Sequence, residues 1–526
     1  MVRAITPLPT ASTSLSRPLT SVLPPTDGTP SFLITSADKS YKHQYANIYF
    51  IRLRILRDVV EERARKRWQN IEGSPVLVPK VLEVEKSKLC YIVGTVYMDM
   101  PLKPNVMEDI ARDTSIPPPP PLAKFYSPDD NIMLEDESGR IQLVGERVVK
   151  ARLITGIIIA ALGIETPTGE FEVVDVCHAE MAPQPHLNQA EEQMDVDVDP
   201  QADAWIALVS GLDIGSPSAV DAQTQMLVEY LTGEGGGPQQ QINAAQISRL
   251  IIAGDSLAPI ISEPKVEGFD ESESRRGRRY GHDTTSFSAH PTLSLSAHLL
   301  DIARSMPVHL LPGESDPSGV ILPQQPLPRA MFGAVASCGS FSCETNPTYL
   351  RFAPVSTPEA ASDGVGRTIL VNSGQPLNDM FKYVPYHPKI PLALLESTVR
   401  WRHMAPTAPD TLWCHPYFGS DPFIISETPD IYAVGGQEQF GTKLLVHKED
   451  KTKRCRLILV PRFADTGILV LVNLRTLDAK PIKFKIQGMA GGSEDTVAAP
   501  TEKLPSAAED NLKSSDPARP SSPPPS

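Results

Sequence analysis

From Tyr41 the chain reads YKHQYANIYFIRLRILRDVVEERARKRW, with Tyr45, Tyr49, Leu53, Leu56 and Val60 three or four residues apart and Arg and Glu between them. This spacing predicts an amphipathic helix ending near Trp68, its apolar stripe laid on its own domain and its outer face open to solvent or a partner. The period then changes. KLCYIVGTVYMD, NIMLEDESGRIQLVG, RLITGIIIAALG and FEVVDVCHAE are short β-type runs bounded by Gly, Pro, Asp or Asn. The ESGR tetrapeptide at 137–140 reads as a hairpin turn between Met133–Leu134 and Ile141–Val144. Several short strands with such turns suggest a small barrel of the oligonucleotide-binding kind, with Gly94, Gly156 and Gly163 at bulges or sharp bends.

A different rhythm follows. WIALVSGLDIGS is a continuous apolar strand entering a glycine turn, VDAQTQMLVEYLTG has helical spacing, and ISRLIIAGDSLAP repeats the strand-to-loop arrangement. LSLSAHLLDIARSM resumes a helix, VHLLPGESDP gives another strand and loop, and TILVNSG, DIYAVGG, RLILVPRF and GILVLVNLRTL read as further strands. Continuous apolar strands alternating with helices predict an α/β sandwich, with function gathered at the carboxyl ends of the strands.

Between these blocks the pattern lapses. Residues 1–38, rich in Ser, Thr and Pro, are expected to be a disordered tail; 39–74 is the helical segment and 75–182 the barrel, crossed by the proline run 117–121. An acidic linker at 183–202 precedes the sandwich, 203–487, which carries an insertion at 261–289, and a second disordered tail fills 488–526. Arg275, Arg276, Arg278 and Arg279 within the insertion form either a solvated basic run or a weak nuclear-import signal.

Charge narrows the function classes. With 63 acidic against 49 basic residues, net −14, the chain lacks the cationic footprint of a protein that grips phosphate chains over its whole surface. The barrel strands also offer few aromatics for base stacking, so a stand-alone nucleic-acid-binding module is an alternative rather than the first reading. Six scattered cysteines fit a reducing compartment, and no cofactor is expected; Cys338 and Cys343 lack the second pair that a zinc site would want.

The loops SGLDIG, AGDS, PGESD and VGGQEQFG resemble, in order, the metal-binding motifs of the calcineurin-like metallophosphoesterase family. That family uses two divalent ions held by Asp, His and Asn side chains from neighbouring loops. Here Gly211 and Asp213 stand where the first loop has Asp and His, Gly254–Asp255 keep the bridging pair, and Glu314 and Ser315 replace Asn and His, with Asp316 at the final acidic position. Gly436 and Glu438 fall in the last loop, which has lost both histidines. His403 or His415 could answer the family's remaining histidine, but both are read as structural, surface or interface residues. The resemblance leaves Asp255 as the one clear ligand and implies an inactive phosphoesterase-like domain. A remodelled oxygen site for Mg²⁺ or Mn²⁺ built from Asp213, Asp255, Glu314 and Glu438, supporting a phosphodiesterase or nuclease, is the alternative.

Longer stretches are more specific. PGESDPSGVILPQQPLP at 312–328 and PTAPDTLWCHPYF at 406–418, together with YKHQYANIYFIRLR and SETPDIYAVGGQEQFG, resemble the small accessory (B-type) subunits of DNA polymerase delta over roughly residues 40–480. The resemblance implies an oligonucleotide-binding barrel packed on an inactive phosphoesterase-type sandwich, in a non-catalytic nuclear subunit. A protein of this kind bridges the catalytic subunit's C-terminal cysteine-rich module to a further accessory subunit for DNA replication and repair synthesis, and meets DNA mainly in the assembled complex. Trp413, Tyr417, Phe418 and Phe440 are either core residues or interface anchors.

Overall fold

The computed structural model describes residues 15–36, 39–40, 42, 45–104, 122–184, 204–216, 220–259, 289–354 and 366–485. The proline run 117–121, the arginines of the 261–289 insertion, most of the acidic linker and the tail after 485 lie outside the described residues.

Helix α1, Asn47–Trp68, turns Leu53, Leu56 and Val60 of the predicted stripe inward together with Ile48, Ile51, Ala64 and Trp68, whereas Tyr45 precedes the helix and is exposed and Tyr49 is only partly buried. Its stripe lies on the barrel, where Trp68 meets Tyr91 edge-on at 5.2 Å. The barrel consists of β2 (Val76–Leu77), β3 (Cys90–Asp99), β4 (Asn131–Glu135), β5 (Arg140–Val144), β6 (Ile158–Glu165) and β7 (Phe171–Cys177), in the order β2-β3-β4-β5-β7-β6. A further pairing of β3 with β6 closes the ring. The β4–β5 hairpin falls where ESGR predicts it, its turn fastened by Asp136, whose Oδ1 accepts from the amides of Ser138 at 2.7 Å and Gly139 at 3.1 Å. At Gly163 the register with β7 shifts, and a Cβ there would sit 2.2 Å from the Glu172 carbonyl oxygen, so the bulge requires glycine.

Two six-stranded mixed sheets form the remainder. One runs β1-β12-β13-β14-β16-β15, from Thr20–Val22, Thr348–Pro354, Arg367–Asn372, Ile431–Gln437, Arg454–Pro461 and Gly441–Val446. The other runs β11-β10-β9-β8-β17-β18, from Phe341–Cys343, Val308–Leu311, Ile247–Ala253, Trp205–Val209, Ile468–Asn473 and Ala479–Lys483. Alternate residues of both, including Ile206, Leu208, Ile251, Ile369, Val371, Ile431, Ile458 and Val470, share one buried cluster between the sheets. Helices Val220–Thr232 and His290–Ser305 cover the second sheet from outside, while Gln375–Lys382 and Ile390–Trp401 cover the first. Barrel residues such as Val96, Leu134 and Ile159 belong to the same apolar cluster as Leu377, Leu394 and Trp401, so barrel and sandwich share a continuous core.

The N-terminal segment corrects the expectation of a structureless tail over 15–36. Strand β1 pairs antiparallel with β12, and Phe32 is buried between Tyr349 and Phe423, stacked on the former at 5.8 Å. Arg17 donates to the carbonyls of Leu231, Ala244 at 2.6 Å and Ile247 at 2.9 Å. A Ser/Thr/Pro-rich string without period is thus fixed by two anchors and an edge-strand pairing.

Candidate functional site

Strands β8, β9 and β10 are mutually parallel, as are β13, β14 and β16, so their carboxyl ends bring the four singled-out loops together. Two close backbone approaches explain the retained glycines. A Cβ on Gly313 would lie 2.2 Å from the Asp255 amide nitrogen, and one on Gly435 would lie 2.4 Å from the Ala253 carbonyl oxygen. Ser210 ties two loops across the sheets: its hydroxyl donates to the Ala253 carbonyl at 2.8 Å and accepts from the Gly436 amide at 2.8 Å.

Asp213 and Asp255 both sit at positive φ, +46° and +55°. Non-glycine residues take that conformation rarely, and its persistence here shows that the surrounding loops fix both side chains. What faces them is Arg462, the first residue after strand β16. Its guanidinium donates to Asp213 Oδ2 and lies 3.4 Å from Asp255 Oδ2. The other oxygen of Asp255 accepts from the Ser315 amide at 3.0 Å and the Ser315 hydroxyl at 3.1 Å. Burial raises the Asp213 carboxyl above its ordinary range, and Arg462 opposes that shift.

Asp316 plays a separate part. Its carboxylate accepts from the amides of Ser256 at 3.0 Å, Leu257 at 2.9 Å and Gly313 at 2.8 Å, so it fastens the second and third loops to each other. Burial pushes this carboxyl up to about 6 against those hydrogen bonds.

The predicted positions therefore divide. Asp213, Asp255 and Ser315 meet around Arg462, and Asp316 braces their loops. Glu314 and Glu438 are exposed to solvent. Among the described residues no group of three or more His, Cys, Asp and Glu side chains is placed to hold a metal ion. One oxygen, Asp213 Oδ1, is buried without a hydrogen-bond partner, but hard divalent ions need about six donors. The residues present do not fit a binuclear centre: the two carboxylates already face a fixed cation.

His403 and His415 are both buried away from this arrangement. His403 Nε2 lies 2.8 Å from Asp421 Oδ2, which also accepts from Arg52 Nε at 2.8 Å. Arg52, fully buried on the inner face of α1, donates further to the carbonyls of Gly156 at 3.0 Å and of Pro406 and Ala408 at 2.8 Å each. Gly156 lies at φ +85°, and a Cβ there would stand 1.9 Å from the Pro406 carbonyl oxygen. This latch joins α1, the barrel and the 403–421 loop. Burial and the neighbouring Arg52 lower the His403 pKa to about 4, and although burial alone would raise the Asp421 carboxyl, His403 and Arg52 hold it well below the usual carboxylate range.

Of the four aromatics, Trp413 and Phe418 are exposed, at 63% and 64%. Tyr417 and Phe440 are instead partly buried and packed against the core, the first of the two readings the sequence left open for them.

Comparison with known proteins places this geometry. The DNA polymerase delta subunit OB-fold domain family matches residues 44–176, covering α1 and the barrel, and the B-subunit family of DNA polymerases alpha and epsilon matches 206–442. The DNA polymerase delta small subunit of Arabidopsis thaliana is 37% identical over 444 residues, 84% of this chain and 92% of that protein. The chain belongs to the DNA polymerase delta small subunit family. The Saccharomyces cerevisiae member of the family is 33% identical over 486 residues, covering 86% of this chain and 92% of its own. The DNA polymerase II small subunit of Archaeoglobus fulgidus is 25% identical over 243 residues, 46% of this chain and 44% of that protein. Arg462 lies beyond the matched 206–442 segment, and sequence reasoning missed it. The available signal was a lone arginine at the carboxyl end of the predicted strand RLILVPRF, where a strand-end ligand belongs.

Proposed function

We propose that this chain is a non-catalytic accessory subunit that bridges the catalytic subunit of DNA polymerase delta, through that subunit's C-terminal cysteine-rich module, to a further accessory subunit. It serves nuclear DNA replication and repair synthesis. In this reading 75–182 is an oligonucleotide-binding barrel and 203–487 a metallophosphoesterase-type sandwich whose metal centre has been replaced by a fixed guanidinium. The observation that carries the non-catalytic part is Arg462 facing Asp213 and Asp255: the charge that ions would supply is supplied by a side chain with no open coordination position and no proton to exchange near neutrality. A phosphodiesterase acting through a remodelled site loses support from the exposure of Glu314 and Glu438.

A stand-alone nucleic-acid module fares no better. Tyr91 and Phe171 of the barrel are buried, and Tyr97 is covered by Lys103 at 4.4 Å, which leaves few rings for base stacking. Trp413 and Phe418, exposed apolar rings on a loop held by a rigid frame, are the proposed anchors of a partner interface. The test is reconstitution of the full chain with the catalytic subunit and size-exclusion analysis at near-physiological salt. Co-elution is expected, and separate elution contradicts the reading.

A further inference from the structure

A cleft of about 410 Å³ opens between α1, the end of β7 and the turn after helix Ile390–Trp401, away from the Arg462 site. Most charges around it are matched. Lys66 pairs with Glu62 at 2.6 Å, Arg67 with Asp175 at 2.7 Å, and Glu180 with Arg400 at 2.5 Å. Arg63 is not: among the described residues it makes no ion pair or hydrogen bond, and its Nε is a buried atom without a partner. Arg402, across the cleft, donates through Nε to the Glu180 carbonyl at 2.8 Å and through Nη2 to the Met181 carbonyl at 3.1 Å, which leaves Nη1 uncommitted. His178 between them has a buried Nδ1 that also lacks a partner.

Two guanidinium groups from different elements therefore line one cleft with donors left over, beside an imidazole nitrogen that has no partner. Buried polar groups in folded proteins are nearly all satisfied, so an uncommitted guanidinium beside an uncommitted imidazole indicates that the acceptor comes from another molecule. Three carboxylates, Glu62, Glu180 and Glu449, line the same cleft, and a continuous phosphate chain would be repelled by them. A single planar carboxylate matches the guanidinium fork and meets the rim at one point only.

We infer that this cleft receives an acidic side chain, Asp or Glu, of a partner polypeptide in the polymerase assembly, with Arg63 and Arg402 as its anchors. The inference rests on the accessory-subunit reading and adds to it the chemistry of one contact.

The test uses the full chain reconstituted with the catalytic subunit and the further accessory subunit. Arg63→Lys sets an amine at the same point, and a zero-length carbodiimide couples an amine only to a carboxylate in contact with it. A crosslink from residue 63 to an Asp or Glu of a partner polypeptide, read by mass spectrometry, is expected. Arg63→Glu should weaken co-elution roughly tenfold in competition with the unaltered chain, as loss of a partly desolvated charge pair does, with an unchanged melting temperature. Crosslinks confined to this chain, together with normal assembly of Arg63→Glu, overturn the inference. So does loss of oligothymidylate binding in Arg63→Glu with assembly intact, which assigns the cleft to phosphate. Failure of the unaltered chain to co-elute is a different result: it defeats the accessory-subunit reading itself.

Discussion

Arg52 and Arg462 each face aspartate across a junction, yet they do so in opposite surroundings. Arg52, Asp421 and His403 are all buried, and the hydrogen bonds of Arg52 reach three carbonyls as well as the carboxylate. Arg462 is one-third exposed at the mouth of the strand-end loops, and one oxygen of its partner Asp213 has no hydrogen-bond partner. The dry cluster is satisfied nearly atom for atom and holds the barrel to the sandwich. The strand-end one holds Asp213 and Asp255 at positive φ with the Arg462 guanidinium facing both carboxylates. Where the charges are wholly buried they join barrel to sandwich, whereas at the strand-end loops a partly exposed Arg462 faces two largely buried carboxylates.

The largest effect should come from breaking the buried cluster. Asp421→Ala leaves the Arg52 guanidinium buried without its counter-ion and should cost about 3–5 kcal/mol in chemical denaturation. A loss no larger than that of Arg462→Gln would erase the contrast between the two sites.

The same cluster sets a pH dependence. His403 is held neutral when folded, with its pKa lowered to about 4, and takes up a proton near 6.5 when unfolded. The unfolded chain therefore binds more protons between these values, and stability should fall as pH drops from about 6.5 towards 4. His178, lowered to about 4 chiefly by burial, adds a slope of the same sign. Melting temperatures followed across that window in His403→Gln should show a shallower fall than in the unaltered chain; equal slopes would remove His403 from the account.

Next in size is the proposed interface. Trp413→Ala and Phe418→Ala should each weaken binding to the catalytic subunit, with a cost of about 2 kcal/mol, near thirtyfold, and little change in melting. Tyr417→Ala should instead lower the melting temperature, because that ring packs against Phe423 and His415. Unchanged affinity in both surface variants would move the interface elsewhere. The smallest effect belongs to the Arg462 bridge: Arg462→Gln should cost about 1–2 kcal/mol in denaturation, less than Asp421→Ala because the guanidinium is one-third exposed, though both carboxylates are largely buried.

The legibility of these features in the sequence follows their range along the chain. Helix α1 and the β4–β5 hairpin were readable because a 3.6-residue period and a four-residue turn are local signals. The strand-end loops were readable because each glycine motif follows its own strand. Arg462 was not, since it meets Asp255 and Asp213 across 207 and 249 residues and no short motif records that closure. Arg52 sits among the polar residues of α1 and looks like its solvent face; Asp421 and the carbonyls of Gly156, Pro406 and Ala408, all distant in the chain, make it an inward residue. The ordered run 15–36 was invisible for a similar reason, its hold resting on Arg17, Phe32 and pairing to a distant edge strand.

On the proposed reading a guanidinium stands where divalent ions would have to bind. Calorimetric titration of Mn²⁺ into the full chain, with turnover of a simple phosphodiester followed in the same samples, tests it directly. No stoichiometric binding and no turnover are predicted, and Arg462→Gln should gain at most weak binding without hydrolysis. Tight Mn²⁺ binding by the unaltered chain, with hydrolysis that Asp255→Ala abolishes, would contradict the account.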